Sequence, residues 1–286
     1  MIKIKIEKPF KLEDTITCGQ IFRFFKMEDG SFDIILKDRV INVYEKNNYL
    51  YVSSNNEDDL KSVVMNYFDL DNDYSKINEY LLKQDKKLDD AINFSKGLMM
   101  IKQDPFETIM EYIISANNSV PSIASALNNI ALKYGKKVMF NNKEYYLFPQ
   151  YKDLKDVKES DLRECKVGFR DKYLKNIIDK LNNNELDLDS FYSMDTKEAL
   201  DKLMENIGIG PKVASCILLF AYQKYDVFPV DTWVKKVMKT KYKIEGEKNI
   251  RSFASITYGK YSGIAIQYLF NYGRNSNWLM KKFVIE

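Results

Sequence analysis

The chain has 286 residues, with 44 Lys and Arg against 41 Asp and Glu, no histidine, and a formal net charge of +3. At 45% hydrophobic and 30% charged residues it has the composition of an ordinary globular protein, long enough to bury a sizeable core in one or two domains. Lack of histidine excludes Ser-His-Asp, Cys-His and zinc-deaminase chemistry, and the scattered Cys18, Cys165 and Cys216 supply neither a disulfide framework nor a four-thiolate iron–sulfur cluster.

In chain order, residues 2–6 alternate apolar and charged side chains, which predicts a strand and lacks the apolar run of a signal peptide. Further strands are expected over 32–36, 40–44 and 49–52, separated by turn signals at Asp29-Gly30, Lys37-Asp38 and Asn47-Asn48. That pattern is an antiparallel meander. Leu60, Val63, Val64, Tyr67 and Phe68 recur at helical spacing and predict a helix that covers one sheet face. From about residue 96 the periodicity is almost entirely helical, beginning with Asp104-Pro105-Phe106-Glu107, where an N-cap, a first-turn proline and a glutamate at the capping-box position coincide. This shift in composition divides the chain into 1–95, a sheet domain with covering helices, and 96–286, a helical domain. The uncharged stretch 213–223 is far shorter than the ~20 residues needed to cross a bilayer. Unpaired cysteines point to a reducing compartment, so a cytoplasmic location is expected.

The most informative segment is Asn206-Ile207-Gly208-Ile209-Gly210-Pro211-Lys212, flanked by helical patterns on both sides. It reads as helix, tight glycine turn, helix. Gly208 and Gly210 permit positive φ and close backbone approach, Pro211 fits the first helical position, and the free N–H groups there suit a phosphate. Lys212 sits where the partial positive charge of a helix N-terminus opposes an ammonium by about 0.3–1 kcal/mol. A neutral lysine amine is a nucleophile able to form a Schiff base. Asp231, nineteen residues after Lys212, reads as the N-cap of a helix beginning Thr232-Trp233-Val234. On these residues alone, a phosphate-binding turn with a surface lysine and a capping aspartate is the simpler account. Seven basic residues between Lys235 and Arg251 face two glutamates, a local excess of five that suits nucleic acid or a solvated helix face equally.

Taken together, the motifs resemble the helix-hairpin-helix DNA glycosylases with a catalytic aspartate, and specifically their 8-oxoguanine DNA glycosylase branch. The resemblance is carried by Gly19-Gln20-Ile21-Phe22-Arg23-Phe24, by Gln103-Asp104-Pro105-Phe106-Glu107 leading to Ser115-Ala116-Asn117-Asn118, by Gly168-Phe169-Arg170-Asp171-Lys172-Tyr173, and by the hairpin with Lys212 and Asp231. It implies an α+β fold, in which an N-terminal antiparallel β-sheet domain with helices is followed by a mostly α-helical helix-hairpin-helix glycosylase domain, with the active site in the cleft. It also implies removal of 8-oxoguanine from double-stranded DNA with associated AP lyase cleavage. No cofactor or metal is expected, and the chain is expected to act as a monomer. The site residues carried over are Lys212 as nucleophile and Asp231 as catalytic carboxylate. Gly19 would accept the N7–H of the oxidised base, while Cys216 and Phe270 sandwich it. Asn117 would fill the vacated space, Phe169 wedge at the opposite strand, Arg170 contact the estranged cytosine, and Gly208 and Gly210 approach the backbone. Outside that resemblance, Phe169 reads as core, Arg170 as a solvated charge, and Cys216 and Phe270 as ordinary apolar residues.

Two positions depart from the family pattern. Ile266 stands where many relatives have a base-reading glutamine, with Gln267 displaced by one residue, or about 100° around a helix. Ser122 stands where some relatives have a second cytosine-contacting arginine, which predicts relaxed preference for cytosine opposite the lesion. Two other readings remain, a monofunctional alkyl-base glycosylase, which Lys212 argues against, and a non-catalytic helix-hairpin-helix module that binds phosphate.

Overall fold

The computed structural model describes residues 1–276. Five strands form one antiparallel sheet in the order β1-β5-β4-β3-β2, with β1 Ile2–Lys5, β2 Phe24–Lys26, β3 Phe32–Ile35, β4 Val40–Lys46 and β5 Tyr49–Ser54. The meander is β2 through β5, and β1 adds to its far edge with Ile2 opposite Val52. Asn47 and Asn48, both left-handed at φ 52° and 61°, make the β4–β5 turn tight. Helix α1 (Leu12–Thr17) lies between β1 and β2, and α2 (Leu60–Tyr67), α3 (Tyr74–Gln84) and α4 (Asp89–Phe94) follow the sheet.

The rest of the chain is helical: α5 (Pro105–Ser115), α6 (Val120–Tyr134), α7 (Glu159–Leu162), α8 (Asp171–Asn182), α9 (Ser190–Ser193), α10 (Thr196–Met204), α11 (Pro211–Tyr222), α12 (Thr232–Val237), α13 (Glu247–Tyr258) and α14 (Ser262–Asn275). One hairpin, β6 (Lys137–Phe140) and β7 (Lys143–Tyr146), interrupts them. The helical periodicity overlooked it. Its signal is Asn141-Asn142, again left-handed at 49° and 59°, and the hairpin docks onto the sheet through Ile35, Val40, Phe140, Tyr145 and Leu147. Buried Asp33 fixes that docking by accepting from Asn42 at 2.8 Å and from the Tyr145 hydroxyl.

Helices α5 and α11 form the centre. All of Val213–Tyr222 is buried, Tyr112 of α5 stacks on Phe220 with ring centroids 5.4 Å apart, and the surrounding apolar core continues without a break into the sheet residues Ile34, Ile41, Leu50 and Val52. Each such side chain contributes about 1.5–3 kcal/mol on burial. Asp104 caps α5 by accepting from the Phe106 and Glu107 N–H groups at 3.1 Å. Glu107 departs from its expected capping-box role, because its carboxylate pairs at 2.8 Å with Arg23, a cation only 3% exposed that requires a counter-charge.

Gln20 ties the two halves together. Fully buried, its side chain donates to the carbonyls of Thr15 and Met99 at 2.9 and 2.8 Å and accepts from the Ile101 N–H at 2.9 Å. Among the described residues no helix is long and apolar enough to cross a membrane.

Candidate active site

Gly208 and Gly210 hold the turn between α10 and α11 in different ways. Gly208 is left-handed at φ 83°, and a Cβ there would run into the Tyr173 ring. Gly210 is the N-cap of α11 with extended backbone at φ −92° and open space where a side chain would stand, so only Gly208 uses the positive-φ freedom expected of both. Pro211 opens α11 and the half-buried Lys212 follows one position later.

Lys212 points toward α5. Its Nζ donates to Ser115 Oγ at 3.1 Å and lies 5.3 Å from the Tyr112 ring centroid, while Ser115 Oγ itself donates to the Tyr112 carbonyl at 2.8 Å. The serine hydroxyl, its proton committed elsewhere, presents a lone pair to the amine. Asp231 caps α12, accepting from the Val234 N–H at 2.7 Å. Burial pushes its carboxyl above the usual aspartate range, against the opposing pull of that N–H and of the nearby Lys212 charge. The two side chains are therefore electrostatic neighbours.

Both line one cavity of about 890 Å³, together with Gly19, Asn117, Gly208, Gly210, Cys216 and Phe270. Lys212 and Cys216 share a face of α11, one turn apart, and burial raises the Cys216 thiol so that it remains a compact apolar wall. Gly19 is left-handed at φ 90°, and a Cβ there would lie 2.7 Å from Arg274 Nη1 and 3.3 Å from the Phe270 ring. A larger residue would close this side of the cavity. Ile266 and Gln267 both reach the lining; Gln267 is 5% exposed, with no oxygen partner for its Nε2 among the described residues. Tyr112, Ser115, Trp233 and Arg274 also line the cavity and were not singled out as site residues from sequence. Arg274 had a faint signal, one helical turn beyond Phe270 on α14.

Two expected residues lie outside this lining. Phe169 is 56% exposed, packing edge-on against Tyr173 at 6.2 Å, so it is not core. Arg170 is 6% exposed, its guanidinium turned onto the carbonyls of Ala116, Asn117 and Val167, so it is not a solvated charge either. Exposed Asn117 stands at the cavity mouth in a left-handed conformation at φ 52°, and Ser122 exchanges a 2.8 Å hydrogen bond with Ser119. Four of the seven basic groups beyond Asp231 are paired with carboxylates, Lys235 and Arg251 with Glu247, Lys239 with Glu245 and Lys241 with Asp90; of these carboxylates only Asp90 lies outside the sequence count, so the local excess falls from five to four.

The family model described as "8-oxoguanine DNA glycosylase, N-terminal domain" matches residues 1–109, and that described as "HhH-GPD superfamily base excision DNA repair protein" matches residues 110–256. A probable N-glycosylase/DNA lyase of Methanothermobacter thermautotrophicus is 31% identical over 242 residues, covering 77% of each chain. The N-glycosylase/DNA lyase of Saccharomyces cerevisiae is 29% identical over 207 residues, covering 68% of this chain and 54% of the yeast protein. This chain thus spans about half the length of that relative. The crystal structure of Clostridium acetobutylicum 8-oxoguanine glycosylase/lyase, in complex with double-stranded DNA containing cytosine opposite 8-oxoguanine, superposes with a TM-score of 0.90 at 41% identity, covering 94% of this chain and 93% of that one.

Proposed function

Because the chain belongs to the HhH-GPD superfamily of base excision DNA repair proteins and carries the 8-oxoguanine DNA glycosylase N-terminal domain, we infer that it excises 8-oxoguanine from DNA and then cleaves the strand, as a bifunctional DNA glycosylase and AP lyase. The observation that carries the mechanism is that Lys212 and Asp231, brought from separate helices, line the same cavity beside the glycine turn.

Inside a stacked duplex C1′ is out of reach, so the nucleotide is turned out of the helix at a cost of a few kcal/mol, with Asn117 entering the space it leaves and Phe169 wedging beside it. The extruded base lies between Cys216 and Phe270. Gly19 offers its carbonyl to the N7–H that only the oxidised base has; normal guanine presents an acceptor there, a mismatch of about 1–3 kcal/mol. Once its ammonium has given up a proton, the Lys212 amine forms a bond to C1′ as the C1′–N9 bond breaks; the bonding pair leaves with the base, which takes up the proton that the newly alkylated nitrogen releases. Asp231, ionised, stabilises the positive charge that develops on the sugar. Opening of the ring then gives an imine between Lys212 and C1′. Loss of a C2′ proton expels the 3′ phosphate by β-elimination. The partner is duplex DNA carrying oxidised guanine, met by a single copy of the chain.

Borohydride reduction tests the covalent step. The protein is expected to be trapped on 8-oxoguanine duplex, and Lys212→Gln to abolish trapping; trapping that survives the substitution removes Lys212 as nucleophile. Asp231→Asn is expected to slow single-turnover excision by about 10²–10³ while lesion binding persists.

A further inference from the structure

A second cavity, of about 440 Å³, meets α5 on another face and shares no lining residue with the one that holds Lys212 and Asp231. Both halves of the chain wall it, through the β3–β4 turn, α2, the segment 102–107 and the end of α11. Glu111 lines this space, while its neighbour Tyr112 lines the other.

Every other charged group on these walls has an opposite charge in contact. Arg23 holds Glu107 at 2.8 Å, Lys37 holds Asp104 at 2.8 Å, Lys102 holds Asp69 at 2.9 Å, and Arg39 holds Asp38 at 2.7 Å. Glu111 has neither an ion pair nor, at Oε2, a hydrogen-bond partner among the described residues. A carboxyl only 3% exposed and left unpartnered is costly, yet this one is set beside open space.

The surroundings favour one kind of guest. Burial, and then the Glu111 and Glu107 charges, hold the Tyr67 phenol protonated well above its usual range, which sets that ring near the carboxyl, and exposed Tyr192 lines the mouth. A planar guanidinium forks onto a carboxylate, stacks on aromatic faces and sheds water more readily than an ammonium. The protein itself uses this pairing one turn earlier, where Arg23 lies against Glu107 with its guanidinium carbon 5.5 Å from the Phe148 ring centroid. Among the described residues no group of three His, Cys, Asp or Glu is placed to hold a metal ion, which makes a metal the poorer guest.

We propose that this cavity is a binding site for a small guanidinium compound, with Glu111 as its counter-charge. The site is independent of the excision chemistry. The guest pairs with the ionised carboxyl, so binding releases to solvent the proton that burial and the Glu107 charge keep on Glu111, with Asp104 adding to that hold and Arg23 opposing it.

The test titrates methylguanidinium chloride into the full-length protein by calorimetry, at ionic strength held constant with sodium chloride, beside the neutral isostere N-methylurea. One methylguanidinium per chain is expected to bind with a dissociation constant in the millimolar range, and N-methylurea is expected not to bind. Affinity is expected to rise with pH, by up to tenfold per unit between about pH 6 and pH 8, because a proton must leave. Glu111→Gln is expected to weaken binding by about tenfold or more. Equal binding of N-methylurea, affinity that does not change with pH, undiminished binding by Glu111→Gln, or no saturable heat would each overturn the proposal. The pH series and the N-methylurea comparison use the unsubstituted chain, so they decide the matter even if the variant does not fold.

Discussion

Glu111 is 3% exposed on the helix that also carries Tyr112 and Ser115 to the active site. Its Oε2 has no hydrogen-bond partner among the described residues, and Glu107, one turn earlier, already holds Arg23. Burial first, and then the neighbouring Glu107 charge, push the Glu111 carboxyl well above the usual glutamate range. The folded state therefore binds this proton more tightly than the unfolded chain does. Its contribution to stability is full below the unfolded value near 4.5 and is lost as pH rises through the higher folded value. Glu111→Gln is expected to raise the midpoint of thermal unfolding near pH 8 and to change it little near pH 4. Equal shifts at both would show that the carboxyl does not titrate between them. At this scale sequence spacing placed Lys212 and Cys216 on one helix face and Asp231 at an N-cap, since i to i+4 spacing and cap chemistry are local, whereas their grouping around one site came from the family resemblance. Ser115 and Tyr112 acquired their place beside Lys212 only through the packing of α5 on α11, which spacing along one helix does not encode.

The turn between α10 and α11 distinguishes two glycines that look alike in sequence. Gly208→Ala forces a side chain into left-handed backbone and against Tyr173, at a cost of about 1–3 kcal/mol from the conformation alone. Gly210→Ala meets open space with ordinary backbone. The first is expected to lower the thermal midpoint, and the second to change it far less while weakening DNA binding at the N–H groups proposed to face phosphate. Equal destabilisation by both would refute the distinction. The elements themselves were largely legible: the β3–β5 meander, α2, the capped α5, and the α10–α11 hairpin follow from alternation, periodicity and caps. The short β2 and the β6–β7 hairpin were not, because three- and four-residue strands leave too little alternation to read, and their stability comes from contacts such as Tyr145 with Asp33 across more than a hundred residues. The Asn141-Asn142 turn was the available clue.

Across the whole molecule, one apolar core joins the sheet to α5 and α11, so the two parts matched by separate family models are expected to unfold together. Far-ultraviolet dichroism and tyrosine fluorescence should report a single coincident thermal transition; two resolved transitions would show that the shared core does not couple them. The position of Gln20 has a broader consequence. The peptide that presents Gly19 to the cavity is anchored by a buried amide to 99–101, away from the lysine and aspartate proposed to act on the sugar. In the proposed reading, the contact that senses N7 thus comes from a different stretch of polypeptide than Lys212 and Asp231, while the Cys216 wall of the base site shares α11 with Lys212. Substitutions near Gly19 would then retune the N7 contact from outside α11, whereas the wall that grips the base at Cys216 cannot change without touching the helix that carries the amine.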